Sequence, residues 1–515
     1  MKFSKIFAIL ITLATLLSAC AVQPENANPQ QEYSAQPQNG GTQIVLQDDT
    51  ITVDGQPAGK DPASAVYVAN DIVYYEAGKD FTYGEGTAED AHTAEEAAAH
   101  TVVHIGKPGT YVLSGKLSKG QIAVDLGDGA KKNPEAVVTL VLNGVDITCE
   151  VAPGVIFYNV YECGDDDADR ATKDVNTDAA GANVVITDGT VNTVNGSYVA
   201  RIYEPGTVVL NDSKTKVEDA DKLHKYDAAF YSRRSMNIYG GQANTGVLNI
   251  QAENEGLDSE LHLTIHGGNI HIASGNDGIN TNEDGVSVTT INGGNLTIRV
   301  TGQTGEGDGI DSNGWLVING GTVIAEACAS SADAGIDSDM GIHIHGGTVI
   351  ASGSMLDRIA DGGQNYAVFN FAQRQTGKVT LKNAQGDVVM EACPENGYSV
   401  LICSSPALTA GTYTLWCDGK QLAGTSGDVG GRPGMGNMGG MPGERPEGMR
   451  PGLEPPEGMP EDMQPGRIPP EGMQPPEGVD PPHGREPENQ IPAQTLSSEF
   501  IITDGGNSFS VIAYQ

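Results

Sequence analysis

We predict an all-β chain whose main body is a parallel β-helix, followed by a small antiparallel β unit. Three observations support this fold class. The 515 residues include 68 glycines but only 5% aromatic residues, which is typical of chains that turn often and stack thin layers. Short runs alternate apolar and polar residues, as in β-strands. A double glycine recurs at steps of 27, 26, 27 and 26 residues, at Gly240-Gly241, Gly267-Gly268, Gly293-Gly294, Gly320-Gly321 and Gly346-Gly347.

The repeated unit has one short run before the double glycine and, in the last four units, one after it. The strings before it are MNIYGG, LTIHGG, TTINGG, LVINGG and IHIHGG, and those after it are NIHI, NLTI, TVIA and TVIA. A repeat of about 26 residues without a helix is one coil of a β-solenoid, because a propeller blade needs about 40. Alternation predicts that Leu263, Ile265, Ile270 and Ile272 lie inside, while His266, Asn292, Asn319 and His345 point outward.

The chain begins with a predicted targeting segment, residues 1–20. Lys2 and Lys5 supply positive charge, Ile6 to Leu17 is apolar, and Leu17-Ser18-Ala19-Cys20 resembles the bacterial lipobox. Cys20 is therefore the predicted lipidation site. The lipid would hold the mature chain at the extracellular face of the bacterial cell membrane, and residues 21–42, rich in Pro, Gln and Asn, would form a flexible tether.

Four further segments complete the predicted organisation. Residues 43–375 form the β-helix domain, in which Ala88 to His100 is the only helix-like stretch. Residues 376–427 and 495–515 form the C-terminal β unit, with antiparallel strands expected from Lys378 to Leu422 and further strands near Phe500 and Phe509. Residues 428–494, built of Pro, Gly, Met and Glu, are predicted to be a disordered insertion.

The formal net charge of −38 excludes nucleic acid and anionic lipid as partners, so the membrane is contacted only through the lipid anchor. Such a surface favours cations, although acidity also keeps a secreted protein soluble. We expect a monomer. The six cysteines after Cys20 match no zinc spacing, and their pairing stays open. The histidines of the repeats are expected mostly outside, as surface polar residues.

An acidic motif recurs beside the double-glycine repeat: Glu255-Gly-Leu-Asp258, Asp277-Gly-Ile-Asn280, Asp308-Gly-Ile-Asp311 and Asp333-Ala-Gly-Ile-Asp337. Neighbouring coils of a β-helix lie about 4.8 Å apart. The last residues of the four motifs should therefore form one solvent-facing column, and Glu255, Asp277 and Asp308 a second column beside it.

Stacked carboxylates repel each other, by roughly 3 to 4 kcal/mol per ionised pair at an effective dielectric of about 20. From Asn254 to Met340 there are thirteen Asp or Glu, one Arg and no Lys. A divalent cation would relieve the repulsion, and ligands that offer only oxygen suit calcium. The alternative is that Asp and Asn merely fill turns. The predicted calcium ligands are Glu255, Asp258, Asp277, Asn280, Asp308, Asp311, Asp333 and Asp337.

Several ordered motifs resemble the carbohydrate-binding β-helix family of clostridial surface proteins: GTYVLSGKLSKGQIAVDL, VTLVLNGVDIT, AAFYSRRSMNIYG and the GDGIDS and INGG coils, between about Ile44 and Leu422. The resemblance implies a right-handed parallel β-helix similar to pectate lyases, bound calcium, and binding of acidic plant polysaccharide such as polygalacturonate. The Asp of the family's DGI turns falls on Asp277 and Asp308. In the fourth turn Ala334 stands in its place. Family members often carry Lys or His after GI, where this chain instead has Asp258, Asn280, Asp311 and Asp337.

Three functions are compatible with these residues. The first is a non-catalytic, calcium-dependent protein that binds acidic polysaccharide. The second is a calcium-dependent polysaccharide lyase, which needs a basic residue to remove a proton. Between Lys225 and Lys378 the chain offers only Arg233, Arg234, Arg299 and Arg358, and Arg299 is predicted to point outward. The third is a structural surface protein or adhesin in which calcium serves stability alone.

Overall fold

The computed structural model describes residues 40–223, 226–427 and 496–514. The predicted signal peptide with Cys20, nearly all of the tether and the insertion at 428–494 lie outside the described residues. Within those ranges no helix has the length and hydropathy needed to cross a membrane. The six cysteines in them are all free thiols.

Three ladders of mostly parallel strands form the main body. The first ladder contains Thr42–Leu46, Gly109–Leu117, Val138–Cys149, Ala182–Ile186, Met236–Gly240, His262–Ile265, Val288–Ile291, Trp315–Ile318 and Gly341–Ile344. The second continues from the long strand Val138–Cys149 through Val191–Gly196, Val247–Ala252, Asn269–Ser274, Asn295–Val300, Thr322–Glu326 and Thr348–Gly353. The third contains Val66–Ala69, Thr101–Ile105, Gly120–Asp125, Val155–Asn159, Ala228–Ser232, Glu255–Ser259 and Ile279–Thr281.

The register of the first ladder follows the double-glycine repeat. Ile238 pairs with Ile265, Ile265 with Ile291, Ile291 with Ile318 and Ile318 with Ile344, so partners are 27, 26, 27 and 26 residues apart. All five isoleucines are at most 1% exposed and belong to one core that runs from Ile44 to Ile402. The predicted all-β class, the parallel pairing and the inward positions are confirmed. The hand of the winding stays a prediction.

The double glycines make the turn between the first and second ladders. The second glycine of each of the last four pairs has positive φ, between 80° and 100°: Gly268, Gly294, Gly321 and Gly347. A Cβ atom on Gly294 would lie 2.6 Å from the carbonyl oxygen of Gly268 in the preceding coil. Glycine is required here both by the backbone conformation and by the close approach of neighbouring coils.

The N-terminal part surrounds the third ladder with short elements. The helix-like stretch contains a single helix, Ala94–Ala98, with Thr93 and Glu96 forming a capping box. Two 3₁₀ turns, Ala130–Lys132 and Ala168–Arg170, lie in loops, and the remaining short strands are Thr52–Val53, Gln56–Pro57, Val209–Leu210 and Val217–Asp219. An apolar cluster that includes Tyr75, Ile156, Val199 and Tyr231 covers the outer face of this half of the third ladder.

The C-terminal part is antiparallel in most of its pairings, as the sequence predicts. Its strands are Tyr366–Gln375, Val379–Asn383, Val388–Ala392, Tyr398–Ser404, Gly411–Cys417, Lys420–Gly427, Phe500–Ile502 and Gly506–Tyr514. Tyr398–Ser404 pairs with the last strand of the second ladder, and Tyr366–Gln375 pairs in parallel with Gly506–Tyr514. A separate core built around Phe369, Phe500 and Phe509 supports this unit.

Candidate functional site

The outer face of the third ladder carries the acidic motif in register. Tyr231 pairs with Asp258, and Asp258 pairs with Asn280. The column continues because the backbone N–H of Asp311 donates to the carbonyl of Ile279 and that of Asp337 to the carbonyl of Ile310, at 2.8 and 2.7 Å. Successive coils therefore place the last residues of the four motifs in one line along the ladder.

The first half of this column is a network of amides and carboxylates. The Asn280 amide donates to Glu255 Oε1 at 3.3 Å, and the Asn282 amide donates to Asp258 Oδ1 at 2.7 Å. Our expectation that the column faces solvent is wrong here, since Asp258 is 0% exposed and Asn280 only 6%. Amide donors from the next coil take the place of water around these two carboxylates.

Three carboxylates meet beside the second half of this column. Asp308, Asp311 and Asp337 each present an oxygen within 4.8 Å of the others. All three side chains are partly buried. Asp308 Oδ1 accepts from the backbone N–H of Ala334 at 2.5 Å, and Asp337 Oδ1 is buried without a hydrogen-bond partner in the described part of the chain.

Burial and the repulsion of neighbouring carboxylates raise the pKa of all three groups. Burial, followed by the charge of Asp277, raises the pKa of Asp308 to about 9. Burial raises the pKa of Asp311 to about 7, with Asp277 and Asp339 adding to the effect. The pKa of Asp337 also rises to about 7, through burial and then the charge of Asp357. An ionised cluster of this kind is costly unless a cation joins it.

The other predicted ligands are used differently. Asp277 Oδ1 accepts from the backbone N–H of Asp308 at 2.7 Å, which ties one coil to the next. Asp333 Oδ2 accepts from the backbone N–H of Gly307 at 2.6 Å and from the hydroxyl of Ser331. Asp333 therefore bonds the preceding coil and its own loop, while Ala334 occupies the position that follows Asp308. Of the eight predicted ligands, the structure brings Asp308, Asp311 and Asp337 into one group.

Three polar residues of this face escaped the sequence analysis. Asn282 lies two residues after Asn280 and so shares its side of the strand, which alternation would have indicated. Asp357 lies outside the repeated motif, yet its Oδ2 accepts from the backbone N–H of Ser338 at 3.2 Å. Asp339 follows Asp337 by two residues and is exposed. No repeat signal marks Asp357, because it belongs to the irregular chain after the last coil.

The donor set fits calcium. The three converging groups offer carboxylate oxygens, and Asn280, next in the column, has a buried Oδ1 without a hydrogen-bond partner among the described residues. Hard cations take such oxygens, whereas zinc and copper sites usually include nitrogen or sulfur. Two arginines of this region of the chain, Arg299 and Arg358, are engaged elsewhere. Arg299, 41% exposed, pairs with Glu395, and Arg358 donates to the carbonyl of Met340.

The coils that build this face also match a known family. Residues 99–165 and 175–361, just under half of the chain, match the family described as "Carbohydrate-binding domain-containing protein". The central coils resemble a carbohydrate-binding family. The solved polysaccharide lyase-like protein from C. thermocellum, a gadolinium derivative, shares 20% identity at a TM-score of 0.32, over 60% of this chain and 84% of that one. No curated protein matches the chain significantly.

Proposed function

We propose that this protein binds acidic polysaccharide of the pectin or polygalacturonate type through calcium held on the third ladder, without catalysing a reaction. Asp308, Asp311 and Asp337 would hold the ion, with Asn280 next to them in the column. Calcium would supply positive charge to an otherwise acidic face. The observation that carries the proposal is the convergence of three half-buried carboxylate oxygens within 4.8 Å.

An anionic polymer fits this arrangement better than a neutral one. Calcium takes six to eight oxygen ligands, so three carboxylates and an amide leave positions for water or for uronate oxygens. The net charge of −38 repels a polyuronate unless cations lie between the two. A neutral glycan usually stacks on aromatic side chains, and this face ends in carboxylates rather than rings. The family match supports a saccharide ligand in general terms.

The proposed location of the protein rests on the predicted lipidation of Cys20. A lipid on Cys20 would tether a monomer to the extracellular face of the bacterial membrane, where it could meet polysaccharide and calcium outside the cell. The membrane would be contacted only through the lipid. Globomycin treatment and detection of the acylated N-terminal peptide by mass spectrometry would test the anchor, and a soluble, unacylated chain would contradict it.

Calorimetric titration with calcium tests the metal site, and affinity electrophoresis in gels with polygalacturonate tests the polymer. We expect Asp311→Asn to weaken calcium binding at least about tenfold, since it removes a charged ligand, and to abolish retardation by the polymer. Glu306→Gln is the matched control, because Glu306 is exposed and lies in the same loop. Unchanged calcium binding in Asp311→Asn would refute the metal site. Calcium-dependent melting without any polymer binding would favour the structural or adhesin role.

Lyase activity is a second candidate because of Arg233. This residue directly follows the strand Ala228–Ser232, which neighbours Glu255–Ser259 in the third ladder. Its Nε is buried and has no hydrogen-bond partner within the described ranges. Incubation with polygalacturonate and calcium should give no growth in the ultraviolet absorbance of unsaturated product. Steady growth that disappears in Arg233→Ala would establish a lyase in place of the non-catalytic function.

A further inference from the structure

The C-terminal unit presents a second surface suited to a saccharide. Four antiparallel strands form it, in the order Val388–Ala392, Val379–Asn383, Gly411–Cys417 and Phe500–Ile502. The inner side of this sheet packs on the C-terminal core through Leu381, Leu415 and Cys417, among others. The opposite side carries Lys382, Thr414 and Trp416. This face lies outside the residues that match the carbohydrate-binding family.

Trp416 is the centre of this outer face. Its indole Nε1 donates to the hydroxyl of Thr414 at 2.9 Å, so its polar edge is satisfied and the ring is fixed. The ammonium nitrogen of Lys382 lies over the face of the ring, 4.5 Å from its centroid. Two exposed apolar side chains lie in the neighbouring strands: Val388, 53% exposed, pairs with Lys382, and Ile501, 65% exposed, pairs with Thr412. The face thus combines a fixed aromatic ring, a cation and apolar margins.

The positive charge here contrasts with the central coils. There is no lysine between Lys225 and Lys378, although the net charge of the protein is −38. Lys378 pairs with Glu391 at 2.7 Å. Lys382 forms no ion pair with any carboxylate of the described residues. An ammonium group beside an aromatic ring, without a carboxylate partner, can attract an anion that also offers an apolar surface.

A uronic acid residue has these two properties. One side of its pyranose ring exposes C–H groups that stack on an aromatic ring. Its carboxylate can draw the Lys382 ammonium from over the Trp416 ring into an ion pair, which opens that ring face to the sugar. We propose that the outer face centred on Trp416 and Lys382 is a second, calcium-independent binding site for acidic saccharide. The proposal takes its ligand class from the function proposed above but does not depend on the calcium site.

The fluorescence of Trp416 can report saccharide binding at this face. The chain has two tryptophans, so replacing Trp315 leaves Trp416 as the sole source of the signal. In a Trp315→Phe background, titration with oligogalacturonate in EDTA should change the fluorescence of Trp416 in a saturable way. Adding Lys382→Gln should weaken this binding at least about fivefold. Lys60→Gln, which removes an equal charge at an exposed position, should leave it unchanged. Affinity electrophoresis in EDTA makes the same comparison in chains that keep Trp315.

Three results would overturn the proposal: no saturable change, equal binding by the Lys382→Gln variant, or equal binding of the methyl-esterified oligosaccharide. A Trp416 signal that ignores saccharide but shifts when residues 428–494 are deleted would also overturn it, and would assign the face to that segment. The calcium site and the Trp416 site can be tested independently of each other. Asp311→Asn should leave binding in EDTA intact, and Lys382→Gln should leave the affinity for calcium intact.

Discussion

Asn280 and Asp311 occupy the same position in successive coils, yet their surroundings are opposite. The Asn280 amide donates to the carboxylate of Glu255 in the preceding coil, at 3.3 Å. Asp311 has the carboxylates of Asp308 and Asp337 beside it. At this position of the coil, the amide of Asn280 joins a hydrogen-bonded network, whereas the carboxylate of Asp311 joins a cluster that attracts cations.

Replacement of Asp311 by Asn should stabilise the metal-free protein. Because the pKa of Asp311 is raised to about 7 in the fold, its ionised form is disfavoured there. The unfolded chain binds fewer protons than the folded chain between about pH 4 and 7, so stability in EDTA falls as pH rises through that window. We expect Asp311→Asn to gain about 1 to 3 kcal/mol at pH 8 after allowance for partial exposure.

Urea unfolding in EDTA at pH 5 and pH 8 measures this effect. The gain should be small at pH 5 and larger at pH 8, whereas Glu306→Gln should show little change at either pH. With saturating calcium the order should reverse, and the native chain should be the more stable of the two. A loss of stability in EDTA at pH 8 would show that Asp311 is not under electrostatic strain.

His262 should make the fold sensitive to acid. The other repeat histidines are at least partly exposed, as expected, but His262 is 2% exposed, and its Nδ1 accepts from the backbone N–H of Val288 at 3.1 Å. Burial lowers its pKa from 6.5 to about 4. The unfolded chain then binds the extra proton, so this contribution to stability is intact above pH 6.5 and is lost as pH falls toward 4.

The expected loss from His262 is up to about 3 kcal/mol by pH 4. His262→Gln retains an acceptor for the Val288 N–H and cannot titrate. The free energy of unfolding of the native chain should therefore decrease more than that of the variant between pH 7 and 4.5. Parallel curves for the two proteins would contradict the buried, neutral state of this imidazole.

Gly294 should be far less tolerant of alanine than Gly285. Both glycines have positive φ, 85° and 67°, so each substitution carries a similar conformational cost of about 1 kcal/mol. A Cβ at position 294 would meet the Gly268 carbonyl oxygen at 2.6 Å, while position 285 has no heavy atom within 4 Å. Gly294→Ala should cost about 2 to 4 kcal/mol in total. Equal midpoints of thermal unfolding for the two variants would refute the close approach of coils.

Ile291 should contribute strongly to the stability of the β-helix core. It is 1% exposed and lies between Ile265 and Ile318 in register. Ile291→Ala should cost about 3 to 4 kcal/mol because the stacked coils can close little of the cavity. Thr290→Ala, the neighbouring residue of opposite orientation, should cost under about 1 kcal/mol. Denaturant unfolding of both variants checks this difference.

The sequence by itself determined the coil and its interior. Double glycines spaced 26 and 27 residues apart and alternating apolar residues are local features. Parallel pairing of equal coils then leaves one register that buries the isoleucines on the inward face. The same periodicity placed Asp258, Asn280, Asp311 and Asp337 in one column, which the pairings reproduce. The stacking of such coils can be predicted from the repeat itself, because each coil contacts only the coils before and after it, which have the same sequence pattern.

Only the tertiary structure decided which carboxylates meet. The carboxylate of Asp333 accepts from the backbone N–H of Gly307, so Ala334 takes the position that follows Asp308. Asp357 lies in the irregular chain after the last coil, and its carboxylate accepts from the backbone N–H of Ser338. The pairing of Tyr366–Gln375 with Gly506–Tyr514 joins strands about 140 residues apart and likewise has no repeat to reveal it. Side-chain direction and long-range pairing depend on hydrogen-bond donors brought together by folding, and no local spacing encodes them.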